Sequence, residues 1–326
     1  MSIRIEPYQP EHKAVWEAFV AASCNGTFFH TRRFLSYHAE GRFTDASLLF
    51  YKDTNLVAVL PAAAVDEEDG RWIVSHPGAT NCGLVLSERY GMHDTGEIVD
   101  AFMEFARGQG YNGARFLRLT PTYLQRFASD DQEYWLYQRG WSLFRFELST
   151  ALILSSLTEA TLLDSFDGKC RNAVRQGLRS GVTVALSDDF DQYWPILEET
   201  LQTRHNTHPT HTLEEIKRLR DIAPQEVRLL AAFREGRMIA GIVFITLHDQ
   251  AMYTLYIAQR YSEQHLRPLH LLIYELMALS LREGRKVFHF GISTENHGSI
   301  VNEGLFFFKE SFGGVSLRRE SWQCTF

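Results

Sequence analysis

The stretch VRLLAAF-REGR-MIAGIVFITL, residues 227–247, decides the fold class of this chain. Two apolar runs flank a short charged turn that contains Gly236, and this pattern predicts a β-hairpin. The segment Met252 to Ala258 is rich in aromatic and β-branched residues and predicts a further strand beside the hairpin. These strands form the sheet of an α/β unit in the second half of the chain.

The first half repeats this order of elements. Residues 47–60 form a second hairpin pattern around the polar turn at residues 52–55, and in each half an amphipathic helix, a glycine suited to a helix C-terminus and a short strand follow. The matching parts are the helical stripes Ile98-Phe102-Phe105 and Leu272-Leu276-Leu279, the glycines Gly110 and Gly284, and the strands Phe116–Leu119 and Val287–Phe290. A repeat of this length predicts two similar domains, residues 1–150 and 151–326, with a helix over residues 158–179 opening the second.

Composition limits the partners and the compartment. The 326 residues contain 33 Lys and Arg against 40 Asp and Glu, and a net charge of -7 disfavours a broad nucleic-acid surface. Four widely spaced cysteines match neither a zinc site nor a disulfide framework. The N-terminus lacks a signal-peptide core, and the most apolar later stretch, residues 269–281, contains His270 and Glu275. We expect a cytoplasmic protein without a membrane span.

Several motifs are more specific than the pattern of elements. They are KCRNAVR at 169–175 with Gly181-Val182, FHFGISTE at 288–295, NEGL at 302–305 and FKESFGG at 308–314, together with the weaker FHT at 29–31 and SHPG at 75–78. These motifs resemble the FemABX-like branch of the GNAT superfamily of N-acyltransferases. The resemblance implies an α/β fold of two tandem GNAT-like mixed-sheet domains, with the donor site in the second.

The resemblance also implies a reaction, the transfer of an acyl group from acyl-CoA to an amine. In GNAT-type folds a backbone amide on the splayed fourth strand stabilises the oxyanion, which here points to Leu255, Tyr256 or Ile257. The usual glycine-rich pyrophosphate loop is absent from residues 259–270. Arg260 and Arg267 are therefore expected to supply the charge for the phosphates.

Only a few side chains are candidates for the general base of this reaction. Residues 204–212 contain His205, His208 and His211, and a histidine titrates near the pH at which an amine must lose its proton. We predict His205 or His211 as the base, with Glu303 as the alternative, and no metal, because Pro209 interrupts the helical spacing that a histidine pair on zinc would need. The resemblance places Lys309 at the reacting end of the donor, where it stabilises an oxyanion or a phosphate, and Asn302 beside the donor.

The acceptor side is less constrained. Arg171, Arg175 and Arg179 form a row at i, i+4, i+8 that is typical of a solvated helix face but also suits phosphates. Four polar residues in turns or just after strands of the first half are further substrate candidates: His76, Asn81, Tyr123 and Arg126.

We predict a nucleotide-linked amino sugar as the acceptor, in polysaccharide biosynthesis. Two alternatives stay open. One is a Fem-type transferase that uses aminoacyl-tRNA, and the other is a noncatalytic binding protein that keeps the fold.

Overall fold

The computed structural model describes residues 3–326, except for the side chains of Arg204 and His205. Its strands are β1 Ile3–Pro7, β2 Thr44–Asp45, β3 Leu48–Lys52, β4 Asn55–Leu60, β5 Ala62–Glu67, β6 Gly70–Ser75, β7 Val85–Leu86, β8 Gly113–Phe116, β9 Ser142–Ile153, β10 Thr183–Ser187, β11 Val227–Arg234, β12 Arg237–Leu247, β13 Ala251–Gln259, β14 Val287–Ile292, β15 Thr294–Glu295, β16 Ile300–Val301 and β17 Val315–Thr325. Its α-helices are α1 Lys13–Ala22, α2 Arg32–Leu35, α3 Met92–Gly108, α4 Asp131–Gln138, α5 Glu159–Leu162, α6 Gly168–Arg179, α7 Phe190–His205, α8 Leu213–Ile222, α9 Pro268–Arg282 and α10 Glu303–Glu310.

The chain folds into two units, each packed mainly within itself. The first comprises the residues up to Glu147 together with Arg318–Phe326, and the second comprises Leu148–Leu317. The C-terminal residues therefore pack with the first half of the chain, which they reach through the second part of β17. The predicted domain boundary at residue 150 stays a prediction.

The first unit contains two groups of paired strands. One has the order β1-β3-β4-β7, and in the other β17, β8, β6, β5 and β2 are neighbours in that order. The predicted hairpin is β3 and β4, and α3 ends before Gly110, whose φ of 75° suits a glycine. The strand predicted at Phe116–Leu119 is wrong in position, because β8 covers Gly113–Phe116 and Arg118 turns the chain with a φ of 50°.

The second unit is built around a sheet with the order β10-β11-β12-β13-β14, to which residues 149–153 of β9 add a further antiparallel strand. The hairpin predicted at residues 227–247 is β11 and β12, in antiparallel register from Val227↔Ile245 to Arg234↔Arg237. Helix α9 packs on this sheet and against α6 and has eight buried residues, Leu272 and Leu276 among them. Burial of one such leucine stabilises the fold by roughly 1.5–3 kcal/mol.

Strands β13 and β14 separate after a short parallel contact. The pairing covers only Ala251↔Val287, Met252↔Phe288 and Tyr253↔His289, although β13 continues to Gln259. On its other side β13 skips one residue against β12, since Val243 pairs with Tyr256 and Phe244 with Thr254. Leu255 is thus the extra residue of a β-bulge, a feature that bends a strand and leaves one residue outside the ladder. The bulge and the separation open a space between the two strands.

The helices begin and end where local chemistry dictates. Thr212 and Glu215 form a capping box at the start of α8, and Pro268 is in the first turn of α9, where its missing N–H costs no hydrogen bond. The helix predicted over residues 158–179 is interrupted, because Asp167 accepts a hydrogen bond from the Cys170 N–H and starts α6 anew. Among residues 3–326, none of the helices has the length and apolar character that a membrane crossing requires.

Candidate active site

A cavity of about 1150 Å³ lies in the second unit, at the point where β13 and β14 separate. The end of α7, the start of α9 and the helix α10 provide its remaining walls. Its lining residues are Thr200, Thr203, Asn206, Thr207, Ile257, Gln259, Tyr261, Gln264, Arg267, Leu269, His270, Phe290, Glu295, Asn302, Gly304, Leu305, Phe308 and Lys309. Four sequence-predicted residues, Ile257, Arg267, Asn302 and Lys309, therefore face one space.

Lys309 is the most perturbed charged group of this cavity. It lies on α10 and is 3% exposed, and its Nζ donates hydrogen bonds to the carbonyl oxygens of Gly291 at 3.2 Å and Ile292 at 2.6 Å. A third contact joins Nζ to Ser293 Oγ at 2.9 Å. Burial lowers the pKa of the Lys309 amine from 10.5 to about 7, because the interior solvates an ammonium less well than water does. The amine can thus gain or lose a proton at neutral pH.

A pair of hydroxyl groups lets Lys309 change its protonation state while every contact is kept. Ser293 Oγ lies 2.9 Å from Thr150 Oγ1, and either hydroxyl can be the donor. A neutral amine has two protons for the two carbonyls and accepts from Ser293, which Thr150 then supports. An ammonium donates to all three, and the Ser293 hydroxyl turns to Thr150 instead. The arrangement is therefore suited to proton exchange.

Positive charge and free backbone amides meet at the start of α9. Arg267 precedes the helix in a left-handed conformation, and the N–H groups of the first helical turn have no partner within the helix. The helix N-terminus carries a partial positive charge, so this end of the cavity attracts anions. His270, one turn into α9, packs against Phe308 and Phe312. Burial and then Arg267 lower its pKa to about 4, which leaves this histidine neutral at pH 7.

Helix α10 begins at the cavity with a side-chain cap. Asn302 Oδ1 accepts from the Leu305 N–H at 3.0 Å, and Asn302 Nδ2 donates to Glu295 Oε1 at 2.6 Å. This pair brings the Glu295 carboxylate to the cavity wall. Glu303, the predicted alternative base, is exposed in the first turn of α10 and is not one of the lining residues.

His211 lies beside β13 rather than in the large cavity. Its Nδ1 is 2.7 Å from Tyr256 Oη, and its backbone N–H also donates to that oxygen at 3.2 Å. His211 lines a separate cavity of about 420 Å³ together with Trp194 and Glu198. Burial raises the pKa of the Tyr256 phenol, which therefore stays protonated. The side chain of His205, the other predicted base, lies outside the described residues.

The remaining residues predicted for the second half occupy different places. Arg260 Nε donates to the Met238 carbonyl at 3.2 Å and is not one of the lining residues of the large cavity. Arg171 pairs with Asp164 at 3.4 Å, whereas Arg175 lines a third cavity of about 520 Å³ on α6. Leu255 contributes its bulged backbone to β13.

The substrate residues predicted in the first half belong to the first unit. His76 and Asn81 are buried, and His76 stacks on His38 with ring centroids 5.7 Å apart. Burial, then the neighbouring His38, lowers the pKa of His76 to about 3, so this ring is neutral. Tyr123 and Arg126 are half-buried in the segment after β8. Their role as substrate contacts stays a prediction.

Two residues that line the cavity were not predicted as site residues from the sequence. His270 sits in an apolar helical stretch, where its spacing suggested only a helix, and Glu295 belongs to a family motif without a predicted role. A polar residue inside an otherwise buried helical stripe was the one available signal for His270. Within the described part of the chain, no group of three His, Cys, Asp or Glu side chains is arranged to hold a metal ion.

Comparison with known proteins agrees with this geometry. A family model described as an acetyltransferase (GNAT) domain matches residues 165–298, the segment that contains β13, α9 and β14. No curated protein matches the sequence significantly.

Solved structures extend the likeness to the whole chain. FemX has a TM-score of 0.74 at 13% identity, with 99% of this chain and 97% of FemX covered. L-PGS from Bacillus licheniformis gives 0.60 at 13% identity, covering 98% and 92%, and a tandem GNAT protein from the clavulanic acid biosynthesis pathway gives 0.52 at 12%, covering 99% and 98%. The chain therefore has the fold of tandem GNAT proteins, and its residues 165–298 match a GNAT acetyltransferase domain.

Proposed function

We propose that this protein is an N-acyltransferase that moves an acyl group from acyl-CoA to an amine, with the donor bound in the cavity of about 1150 Å³. The observation that carries the proposal is Lys309, a buried amine with a pKa of about 7 at the wall of that cavity. Amide formation from a thioester releases a proton from the amine and requires one at the leaving sulfur. A group that titrates near the working pH serves both steps best.

The chemical character of the cavity supports a CoA donor. Its wall offers apolar side chains such as Ile257, Phe290 and Phe308 for a pantetheine arm and an acyl chain. The positively charged end of the same cavity, with Arg267 and the N-terminus of α9, suits the diphosphate of CoA. Arg267 would thus replace the amides of the absent glycine loop with a guanidinium.

The proposed reaction needs no covalent enzyme intermediate. The acceptor nitrogen attacks the thioester carbonyl carbon, a C–N bond forms, and the carbonyl electrons move to oxygen. A backbone amide near the bulge at Leu255 stabilises that oxyanion, a contribution that is typically about 10²–10³ in rate. When the intermediate collapses, the C–S bond breaks and its electron pair leaves with sulfur. Once one of its three partners gives way to the substrate, neutral Lys309 accepts the proton of the amine and, as the ammonium, donates it to the thiolate, so amide and thiol are the balanced products.

Lys309 replaces the histidines as our preferred base. His211 is engaged with Tyr256 and faces another cavity, and Glu303 is exposed on α10. His205 stays a candidate from sequence alone. Glu295 is suited to attract a cationic acceptor, because its carboxylate is part of the cavity wall.

The acceptor class rests on the sequence resemblance. With that support, a nucleotide-linked amino sugar stays our predicted acceptor. A Fem-type reaction with an aminoacyl-tRNA donor is the second candidate, favoured by the likeness to FemX over nearly the whole of both chains. Both donors carry an activated acyl group, so the donor must be identified by binding.

Calorimetric titration with acetyl-CoA, followed by a thiol-release assay with amine acceptors, tests the proposal. We expect acetyl-CoA to bind with one site per chain and thiol release to depend on both the acceptor and Lys309. Absence of acetyl-CoA binding to the folded protein, with binding of aminoacyl-tRNA instead, would transfer the proposal to the Fem-type reaction.

A further inference from the structure

A second cavity, of about 520 Å³, lies on α6 next to the segment that walls the donor cavity. We call it the arginine groove, and it contains Arg175, Gln176 and Arg179 of α6 and His265 from the segment before α9. We propose that the arginine groove binds the 3′-phosphate of CoA, an inference that rests on the proposed acyl-CoA donor. The Lys309 chemistry makes no use of this groove.

The groove is one continuous face of α6. Its helical residues are 172, 175, 176, 179 and 180, a spacing of i, i+3, i+4, i+7 and i+8 that collects side chains on a single stripe. Arg175 and Arg179 are therefore one turn apart, about 6 Å along the axis. Two guanidinium groups at this spacing can both contact one phosphate, whose oxygens accept charge-assisted hydrogen bonds.

A short 3₁₀ helix, Tyr261–Leu266, separates the groove from the donor cavity. Tyr261, Gln264 and Arg267 recur every three residues and line the donor cavity, whereas His265 and Leu266 line the groove. A helix with three residues per turn produces this division between its sides. Gln176 Nε2 donates to the His265 carbonyl at 2.8 Å and fixes the turn to α6.

The start of α9 is held unusually close to α6. A Cβ at Gly177 would lie 3.0 Å from the Leu271 Cβ and 3.4 Å from the Arg267 carbonyl oxygen, so only glycine allows this approach without a shift. A glycine inside a helix costs about 0.5–1 kcal/mol relative to alanine, and here close packing offsets that cost. The groove arginines consequently lie on the helix that touches the predicted diphosphate end of the donor cavity.

The arginines on α6 differ in their ion-pair partners. Arg171 pairs with Asp164 at 3.4 Å, but no carboxylate of the described residues forms an ion pair with Arg175 or Arg179. The whole chain has a net charge of -7, so two uncompensated guanidinium groups in one groove form a local exception. Such groups bind an anion without first giving up a partner.

The chemistry of CoA explains why a second anion site belongs here. Its ribose carries both the 5′-diphosphate and the 3′-phosphate, so a donor whose diphosphate meets Arg267 holds its 3′-phosphate one sugar away. The two basic sites share one short 3₁₀ helix as their common wall, an arrangement that suits two phosphates carried on one ribose.

Calorimetry with acetyl-CoA and with acetyl-dephospho-CoA, which lacks only the 3′-phosphate, tests the groove. For the wild-type protein we expect acetyl-CoA to bind about tenfold more tightly, as two partly exposed charge-assisted contacts would give. In the double variant Arg175→Gln with Arg179→Gln the two ligands should bind equally, with the affinity for acetyl-dephospho-CoA unchanged. The matched control is Arg282→Gln, which removes a guanidinium paired with Glu159 at the other end of α9 and should keep the tenfold preference.

The possible outcomes distinguish a failure of the groove assignment from a failure of the proposed acyl transfer. Equal binding of the two ligands by the wild-type protein, or a preserved preference in the double variant, overturns the groove assignment and leaves the acyltransferase standing. Loss of tRNA binding in the double variant, with an unchanged preference for acetyl-CoA, assigns the groove to RNA and also overturns it. A wild-type protein that binds neither CoA form overturns the proposed donor and the groove assignment together.

Discussion

Replacement of Lys309 by methionine should change how the stability of this protein depends on pH. The substitution keeps the length of the side chain but removes the amine that contacts Gly291, Ile292 and Ser293. The carbonyl oxygens of Gly291 and Ile292 then lose the Lys309 donor, and a buried polar group left unsatisfied costs roughly 1–3 kcal/mol. The same substitution removes the cost of burying a group that is protonated in the unfolded chain.

The sign and size of the effect follow from the two pKa values. The amine has a pKa of about 7 in the folded protein and 10.5 as the ordinary value of lysine. Between these values the unfolded chain binds more protons, so the free energy of unfolding of the wild-type protein rises with pH. At about 1.4 kcal/mol for each pKa unit, the wild-type protein should gain about 2.6 kcal/mol between pH 6 and pH 9 through this group alone. Lys309→Met should lack that gain.

The measurement is urea unfolding of both proteins at several pH values from 6 to 9, with the difference in free energy of unfolding plotted against pH. All other titrating groups are common to both proteins and cancel in the difference. The control is Lys169→Met, which makes the same substitution at an exposed lysine of α6. A constant difference for Lys309→Met would refute the reasoning, because the amine would then hold its proton equally in the folded and unfolded states.

The pH dependence of activity tests the Lys309 amine independently of stability. If neutral Lys309 accepts the acceptor's proton, kcat/KM for acyl transfer should rise with pH through about 7 and then level off. Lys309→Met should not show this rise of kcat/KM with pH. Its rate should be about 10²–10⁴-fold lower, which is the usual contribution of a general base. A rate that falls as pH rises through 7 would instead indicate that the ammonium is the active form.

Substitutions at Gly241, Asn302 and Arg267 test the fold and the cavity. Gly241→Ala should destabilise the protein by about 1–3 kcal/mol in urea unfolding, because a Cβ there would lie 2.6 Å from the Tyr193 ring, while Gly168→Ala has no neighbour within 4 Å and should be close to neutral; equal effects would contradict the packing argument. Asn302→Ala should cost about 1 kcal/mol as a lost helix cap and Asn302→Asp should keep most of that stability, so an unchanged unfolding midpoint in Asn302→Ala would show that the cap is dispensable. Arg267→Gln should weaken acetyl-CoA binding several-fold, and less so in high salt, without a change in thermal unfolding; unchanged affinity would remove Arg267 from the donor site.

Local sequence patterns were sufficient for much of the fold. The hairpins β3–β4 and β11–β12, the helices α3 and α9 and the glycines after them depend on contacts between residues close in the chain. The same patterns failed where one residue changed the backbone locally. Arg118 adopts a left-handed conformation and ends the predicted strand early, and Asp167 restarts a helix that periodicity alone would have continued.

Several properties of the candidate active site could not be predicted from the sequence. The motif around residues 308–314 drew attention to Lys309, and motifs together with spacing drew attention to Arg267, Asn302 and the arginine row of α6. Only the tertiary structure decided that Lys309 is buried with a pKa of about 7, that His270 and Glu295 share its cavity, and that Arg171 differs from Arg175 and Arg179 in its partner. Desolvation and partner choice depend on residues far apart in sequence, whereas hydrophobic periodicity and helix capping are properties of neighbours along the chain.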